Sequence, residues 1–232
     1  SILGFKGLFL AFWDGVSFIP VDFSLHNEKG KNPEKPYGLS KQVVGKRYNK
    51  NRCPESPGAI RKREMDLSKI TSLIGMVDRA IKRGLKADYL LVDSWFMCEE
   101  LIQFIFRKPS MYILGMCKMG NAKYNFGEKS FDAPRLLKHC QQTMKVKRLR
   151  KLKIHYYVID VDYKGMEVRL FFTQYPNQTN WNVLLTDNMQ LKFSEALQIY
   201  QIRWGIEVFY KESKQYLQLG KCQSNDFDAQ IA

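Results

Sequence analysis

The feature that most constrains the fold is a strand–helix–strand pattern between residues 87 and 118. ADYLLVDSWF holds a short apolar run bounded by polar residues, which predicts a buried strand. CEELIQFIFRK has helical spacing, and SMYILGMCK is again strand-like. Two strands joined in this order through a helix pair in parallel by a right-handed crossover. The pattern therefore predicts an α/β protein built on a sheet that contains parallel strands.

A predicted β-hairpin precedes this unit. The first apolar run ends at Asp14-Gly15, a dipeptide that favours a type I′ turn because the turn needs positive φ. The second strand alternates, and four of its apolar residues are predicted to share one face: Ile19, Val21, Phe23 and Leu25. Pro20 cannot donate a ladder hydrogen bond, so this strand is predicted at a sheet edge. A hairpin that leads into strand–helix–strand indicates a mixed sheet.

Residues 27–64 are polar, which predicts a long basic loop. Between residues 41 and 63 Glu55 is the single acidic residue, and the cations there are Lys41, Lys46, Arg47, Lys50, Arg52, Arg61, Lys62 and Arg63. Contact with DNA and a solvated excursion agree equally well with this composition. The stretch from Asp66 to Lys86 then predicts a helix, with Asp66 as its N-cap and Gly84 near its end.

Residues 119–190 differ from the preceding segment because they contain several strand-like stretches, and they predict a β-rich insertion of antiparallel strands. The strand candidates include IHYYVIDVDY and MEVRLFFTQY, which are separated by Lys164-Gly165, and helix is predicted again from Ser194. The insertion also holds KVKRLRKLK, whose six cations are Lys145, Lys147, Arg148, Arg150, Lys151 and Lys153. These cations either contact a DNA backbone or lie in a solvated connection between strands.

Charge and cysteine content narrow the classes of partner and of metal. Lysine and arginine number 37 against 23 acidic residues, a net charge of +14, so nucleic acid is the first partner to consider. The five cysteines are scattered without a CxxC pair, and the three histidines are isolated. This spacing argues against a disulfide framework and against a zinc site. No apolar run reaches the length of a membrane span.

Two places in the sequence are candidates for chemistry. Asp93 directly follows the predicted strand Leu90-Leu91-Val92, and parallel strands present catalytic groups at their carboxyl ends. The alternative for Asp93 is a cap on the next helix.

The stretch YQIRWGIEVFYKESK predicts one helix, whose polar side contains Tyr200, Arg203, Glu207, Lys211 and Lys214. Ile202, Ile206, Phe209 and Leu217 fall on the opposite, packing side. A solvated face with i,i+4 pairs has the same periodicity.

The spacing of Tyr200, Arg203, Glu207 and Lys214 is that of the Y-R-E-K signature, by which the chain resembles the DDE-class insertion-sequence transposases. Supporting stretches are WDGVSFIPVDFSLHNEKGKN, ADYLLVDSWF and the strand-then-helix approach that begins at TDNMQLKF. The resemblance implies a ribonuclease-H-like α/β fold, a mixed sheet flanked by helices with a β-rich insertion before the last catalytic helix. It implies core segments at 1–118 and 193–232, separated by the insertion at 119–192.

The resemblance also implies a chemistry. Asp93 and Glu207 match the family's second and third acids, which together with a first Asp hold two Mg²⁺ ions, or Mn²⁺. Tyr200, Arg203 and Lys214 match residues that grip DNA phosphates, and Lys211 joins them because it shares their face. The implied enzyme is a DNA transposase that cleaves and joins transposon ends as a homodimer, at the nucleoid in the bacterial cytoplasm.

The first acid of the family precedes its hairpin, a position that neither Asp14 nor Asp22 takes. We therefore expect it upstream of Ser1, and expect this chain to be a fragment that is inactive alone. The alternative is a noncatalytic nucleic-acid-binding remnant of the same fold. A metal nuclease of this fold that does not require transposon ends is a further possibility.

Overall fold

The computed structural model describes residues 5–27, 29–40, 42–43 and 53–221. The strands are β1 (Phe5–Trp13), β2 (Phe18–Asn27), β3 (Tyr89–Val92), β4 (Tyr112–Cys117), β5 (Lys123–Phe126), β6 (Lys129–Asp132), β7 (Lys147–Leu149), β8 (Ile154–Tyr163), β9 (Met166–Gln174) and β10 (Asn182–Thr186). The helices are α1 (Pro57–Glu64), α2 (Lys69–Lys82), α3 (Glu99–Phe106), α4 (Ala133–Thr143), α5 (Phe193–Gln201) and α6 (Trp204–Tyr216). None of the helices in these ranges is both long and apolar enough to cross a bilayer.

The chain forms two compact units. One comprises Ser1–Leu85 with Gly205–Ala232, and the other comprises Lys86–Trp204. We call the first the hairpin unit, because it is built on the β1–β2 hairpin, and the second the sheet unit. The sheet unit contains all the strands from β3 to β10 and helices α3 to α5.

The sheet unit is a mixed eight-stranded sheet with the order β3-β4-β10-β9-β8-β5-β6 and with β7 also paired to β8. β3 and β4 are parallel, as the strand–helix–strand pattern predicts, and the other pairs are antiparallel. The strands after residue 118 therefore continue the same sheet. The β8–β9 hairpin turns at Lys164 and Gly165, whose φ values of 57° and 81° are those of a two-residue type I′ turn.

One face of this sheet is covered by α5. Leu114 of β4, Phe171 of β9 and Leu184 of β10 pack with Phe193 and Leu197 of α5, and all five are at most 5% exposed. The helix is placed there by its apolar spacing, and its first turn carries Glu195, whose carboxylate accepts the backbone N–H of Lys192. This packing fixes the end of α5, where Tyr200 lies, against the sheet.

Gly115 lies at a point where β3 and β4 admit no side chain. A Cβ built there would overlap Met97 Cε and would lie 2.6 Å from the carbonyl oxygen of Val92. Real Cβ atoms essentially never come so close to a backbone oxygen. Glycine at this position therefore lets the parallel pair close directly before Asp93.

In the hairpin unit, β1 and β2 form a two-stranded antiparallel sheet, which confirms the predicted hairpin and the edge position of the strand with Pro20. The predicted type I′ turn at Asp14-Gly15 is wrong, because Gly15 has positive φ and Asp14 does not. The register shifts between the pairs Leu10–Asp22 and Ala11–Pro20, which leaves Val21 as an extra residue. The prediction of one continuous apolar face is wrong because this bulge interrupts the alternation. Ile19 and Val21 are 43% and 39% exposed, and the fully buried residues of β2 are Ser24 and His26.

A closed ring of four charges ties this hairpin to two helices. Asp22 of β2 accepts hydrogen bonds from Arg61 of α1 and, at 2.9 and 3.0 Å, from Arg79 of α2. Glu64 accepts from Arg61 at 3.1 Å and from Arg79 at 2.5 Å, which completes the ring. The four side chains are between 7% and 26% exposed. Asp22 therefore has a structural role.

His26 is held as a neutral ring beside these charges. Its Nδ1 lies 3.2 Å from the Leu67 carbonyl oxygen, to which it donates, and its Nε2 lies 2.9 Å from Ser24 Oγ, from which it accepts. Burial lowers the pKa of His26 below its ordinary value.

Parts of the predictions for residues 27–86 are wrong. Pro57–Glu64 is a helix rather than loop, because Ser56 caps it by accepting the Ala59 N–H and a proline occupies its first turn. The N-cap of α2 is Ser68 rather than Asp66, since the Ser68 hydroxyl accepts the Thr71 N–H. Gly84, with φ of 90°, follows that helix as predicted. The loop cations Lys41, Lys46, Arg47, Lys50 and Arg52 lie outside the described residues.

Two further helix boundaries differ from the sequence predictions. Residues 133–143 form α4, which interrupts the predicted run of strands, and Asp132 caps it through the Arg135 N–H at 3.0 Å. The single helix predicted over residues 200–214 is two helices, because α5 ends at Gln201 and α6 begins at Trp204. Between them, tight turns form as Ile202 and Arg203 donate to the carbonyls of Ile199 and Tyr200.

Candidate functional site

A cavity of about 800 Å³ lies in the sheet unit at the carboxyl ends of β3 and β4. Strand ends supply Asp93, Lys118 and Asn182, and the loop before β10 supplies Trp181. Tyr200, from the end of α5, completes the wall on another side. Antiparallel pairing of β10 with β4 brings the start of β10 beside the end of β4, which is why residues far apart in sequence line one cavity.

Asp93 both turns the chain and faces this cavity. Its Oδ1 accepts the backbone N–H of Trp95 at 2.8 Å and of Phe96 at 3.4 Å. The capping alternative from the sequence is therefore present, since the carboxylate orders the turn that follows β3. Asp93 is exposed, and its Oδ2 accepts no hydrogen bond from the described residues. One carboxylate oxygen is thus fixed by the backbone and the other is available to a ligand.

Tyr200 and Arg203 form a pair beside Asp93. The Arg203 guanidinium lies over the Tyr200 ring, with 5.5 Å between Cζ and the ring centroid. Burial raises the pKa of the Tyr200 hydroxyl, and the negative charge of Asp93 acts in the same direction. The charge of Arg203 and a hydrogen bond with the Met116 backbone oppose that rise. The hydroxyl is therefore protonated at neutral pH and is available as a hydrogen-bond donor.

The cavity also has polar lining residues that the sequence analysis did not identify as site residues: Lys118, Asn180 and Asn182. Lys118 follows β4, and Asn180 and Asn182 flank Trp181, whose ring centroid lies 5.4 Å from that of Tyr157. Cations, amides and an aromatic ring are the groups that bind phosphates and bases. Their sequence signal is weak, because it is the pairing of β4 with β10 that brings them to Asp93.

Cys117 also lines the cavity, but its thiol is unsuited to nucleophilic or metal chemistry. Burial raises the pKa of Cys117 to about 12, so the thiolate is scarcely populated at neutral pH. The described residues contain no cluster of three or more His, Cys, Asp or Glu side chains able to hold a metal ion. The cavity thus offers oxygen donors, which suit a hard cation, and no soft-metal set.

Glu207, Lys211 and Lys214 lie on α6, in the hairpin unit. Their spacing of four and three residues places them along one side of that helix. Glu207 is half-buried, and both lysines are exposed.

The opposite side of α6 packs on the hairpin. Phe9 of β1 lies 5.4 Å from Phe209 and 5.2 Å from Tyr210, measured between ring centroids. Gly205 permits close approach, since a Cβ there would lie 2.6 Å from the ring of Phe18. Phe209 packs as predicted, whereas Leu217 is 75% exposed because α6 ends at Tyr216.

The sequence-predicted site residues are thus divided between the units. The structure brings Asp93, Tyr200 and Arg203 together in the sheet unit, and it places Glu207 with the two lysines in the hairpin unit. The joining of Asp93 and Glu207 at one metal centre stays a prediction. Asp14 shapes the hairpin turn, where N–H groups of Ser17 and Val16 bond its carboxylate and hold its pKa below the ordinary value.

Comparison with known proteins gives the family of the chain. No curated protein matches the sequence. The family model of the transposase DDE domain matches residues 63–232, which is most of the chain and includes Asp93, Tyr200, Arg203 and Glu207. The mixed sheet flanked by helices is consistent with the ribonuclease-H-like fold of that family. The chain therefore belongs to the DDE transposase family, whose members act on DNA.

Proposed function

We propose that the chain is the catalytic core of a transposase that cleaves and joins DNA at transposon ends with divalent metal ions. The observation that carries the proposal is the cavity at the carboxyl end of β3. There Asp93, which we assign as the family's second acid, presents a free carboxylate oxygen beside Tyr200, Lys118 and Asn182. Family membership supports the reaction class, and the surplus of cations, +14 over the chain, suits a polyanionic substrate.

Asp93, the single carboxylate that lines the cavity, is a ligand of the type that the family's metal prefers. Carboxylate oxygens are preferred ligands of Mg²⁺ and Mn²⁺, and the nearby thiol is protonated. We assign Asp93 and Glu207 as two of the carboxylates that hold a pair of such ions, with Mg²⁺ as the physiological metal. When bound, the ions polarise the scissile phosphate and activate the attacking oxygen.

The other residues position the DNA in this proposal. The backbone N–H groups of Trp95 and Phe96 fix the Asp93 carboxylate, which presents its second oxygen in a constant direction. Tyr200 donates a hydrogen bond from its hydroxyl to a phosphate oxygen, and Arg203 binds a phosphate through two N–H groups. Lys211 and Lys214 add exposed cations along the side of α6 that carries Glu207.

The assembly and location of the protein follow from the same proposal. Cutting two ends of one element is coordinated when two copies each hold one end, so we propose a homodimer on paired ends. We further propose that it acts at the nucleoid in the bacterial cytoplasm. We keep residues 1–118 and 193–232 as core segments and 119–192 as the family's β-rich insertion, although the latter's strands extend the core sheet.

The test is Mg²⁺-dependent cleavage of a labelled end of the element that encodes the protein, with the protein at its full encoded length. Asp93→Asn keeps an oxygen that can accept the Trp95 and Phe96 N–H groups, and Glu207→Gln keeps the side-chain shape. Loss of one metal-binding carboxylate should lower the cleavage rate by at least about 100-fold, an order set by the several kcal/mol that a bound ion supplies.

Matched controls lie on the same elements. Asp88→Asn precedes β3, and Glu212→Gln lies on α6, and both side chains are exposed. These two variants should cleave like the wild type. Equal cleavage by all four variants would contradict the assignment of Asp93 and Glu207. DNA binding without cleavage by the wild type would favour the noncatalytic binding protein instead.

A further inference from the structure

The strongest concentration of unopposed charge in the sheet unit is a turn far from Asp93 in sequence. Six exposed cations occupy β7, the adjoining 3-10 turn at Arg150–Leu152 and their flanks: Lys145, Lys147, Arg148, Arg150, Lys151 and Lys153. We call this group the basic turn. Among the described residues, none of the six has an ion pair with an acidic side chain.

The basic turn is held in place on both sides by packing. Leu149 packs against the buried cluster beneath α5, and Ile154, directly after the turn, is 2% exposed. β7 pairs with β8 over three residues, including Arg148 with His155. Lys153 closes the turn with φ of 55°. Because its backbone is fixed, the cations form a defined surface rather than a solvated tail.

The strand directions put the basic turn at the same end of the sheet as the Asp93 cavity. β3, β4 and β9 end there, and β10 and β8 begin there. β7 is antiparallel to β8, so the turn between them also lies at this end. The loop before β10 lies between the two sites, and Gln174 holds it by donating to the Thr179 carbonyl oxygen at 3.2 Å.

Charge is segregated along the strands in the same sense. The two connections on the basic side of this end, residues 150–153 and 175–181, contain no acidic residue. The acids of β8 lie toward its other end, where Asp160 pairs with Arg169 and Asp162 accepts from Asn125. A polyanion bound across this end of the sheet would therefore contact no carboxylate between Asp93 and the basic turn.

The strand order also sets a distance. Four strand steps separate β3 from β8 and five separate β3 from β7, in the order β3-β4-β10-β9-β8-β7. At about 4.8 Å a step the basic turn lies roughly 19 to 24 Å from the end of β3. One base pair occupies about 3.4 Å of a DNA axis, so this distance corresponds to about six or seven base pairs.

From this geometry we infer that the basic turn binds the phosphate backbone of duplex DNA about six or seven base pairs from the phosphate held at Asp93. The distance rests on the proposed function, because that function places a phosphate at Asp93. The binding itself rests only on the basic turn. It is independent of base sequence, since lysine and arginine side chains on an exposed turn contact phosphates without reading base edges.

The first test measures binding of a labelled 30-base-pair duplex of unrelated sequence at several salt concentrations, by fluorescence anisotropy. The test variant is Lys147→Gln/Lys151→Gln, and the matched control is Lys129→Gln/Lys138→Gln, which removes two exposed lysines elsewhere in the sheet unit. The slope of log affinity against log salt is negative, and each lost phosphate contact reduces its magnitude by about 0.9. The magnitude of the slope should therefore be smaller by about 1.8 in the test variant. The control should keep the wild-type slope.

Several results would overturn the inference. One is an unchanged salt slope in the test variant, and another is an equal decrease of the slope in both variants. A third is a test variant that loses affinity for single-stranded RNA of the same length but not for the duplex. Absence of any DNA binding by the wild type would overturn both the inference and the proposed function. Binding that depends on the basic turn, without cleavage of the element's end, would leave the inference standing and refute the proposed catalysis.

The second test locates the contact on a cleaved end. Phosphate ethylation at six or seven base pairs from the cut should weaken binding of the wild type severalfold, and it should weaken binding of Lys147→Gln/Lys151→Gln less, because that variant has already lost two of the six cations. Sensitivity of that variant equal to the wild type's at those positions would overturn the proposed path.

Discussion

Asp22 offers the sharpest test of what holds the hairpin unit together. Its carboxylate is 10% exposed and accepts three hydrogen bonds from two guanidinium groups. Asp22→Asn keeps the shape but leaves Arg61 and Arg79 facing the single negative charge of Glu64. Removing one partner of a buried ion pair costs about 3 to 5 kcal/mol, and the 26% exposure of Arg79 places this case at the lower end.

We therefore expect Asp22→Asn to lower the free energy of unfolding of the hairpin unit by about 3 kcal/mol. The assay is hydrogen–deuterium exchange read on peptides from β2 and α2, because it reports each unit separately. A change of this size speeds exchange of the slowest amides by roughly 150-fold. Peptides from β8 and β9 in the sheet unit should be unaffected.

Asp78→Asn is the matched control on α2. Its partner Lys82 lies at 2.6 Å but is 75% exposed, and such an i,i+4 pair contributes only about 0.3 to 0.5 kcal/mol. If Asp22→Asn speeds exchange no more than Asp78→Asn does, the ring of four charges does not stabilise the hairpin unit and the reasoning is refuted.

Two further predictions concern a glycine and a histidine. Gly115→Ala should lower the stability of the sheet unit by about 1 to 3 kcal/mol, because the new Cβ would overlap Val92 and Met97. Gly120→Ala should have no such effect, since the nearest atom to its Cβ lies at 3.9 Å. Equal thermal melting temperatures of the two variants would contradict this prediction. His26 should make the hairpin unit less stable as pH falls below about 6.5, since burial lowers its pKa and folding therefore favours the neutral ring. Exchange in β2 measured from pH 7 to pH 5 checks this, and a pH dependence in His26→Asn as steep as the wild type's would show that another group is responsible.

The local chemistry of the sequence accounts for much of the fold. A glycine after a lysine predicted the turn between β8 and β9, and the apolar run before Asp93 predicted β3 and its parallel partner. α4 was missed although Asp132 and Pro134 are the cap and first-turn residues that mark a helix start. The signal was present there, but the surrounding strand-like segments outweighed it.

Other features depend on contacts between distant residues. The helix break at residues 202 and 203 involves neither glycine nor proline, so the periodicity runs through it unbroken. Asp93 was found because its strand is local, whereas Asn180 and Asn182 join it only through the pairing of β10 with β4. A sequence pattern of period 2 shows that a strand exists but does not name its neighbour.

The order of strands in the sheet has a consequence for synthesis of the chain. β4 is an interior strand whose Ile113 and Leu114 are fully buried, and its second neighbour, β10, pairs Val183 with Cys117 across 66 residues. At about 5 to 20 residues per second, β4 waits roughly 3 to 13 s on the ribosome before that neighbour emerges. Throughout that interval one edge of an apolar strand is unpaired, which is the condition under which nascent chains recruit chaperones or aggregate. Slower translation of residues 118–182 should therefore lower the yield of folded protein.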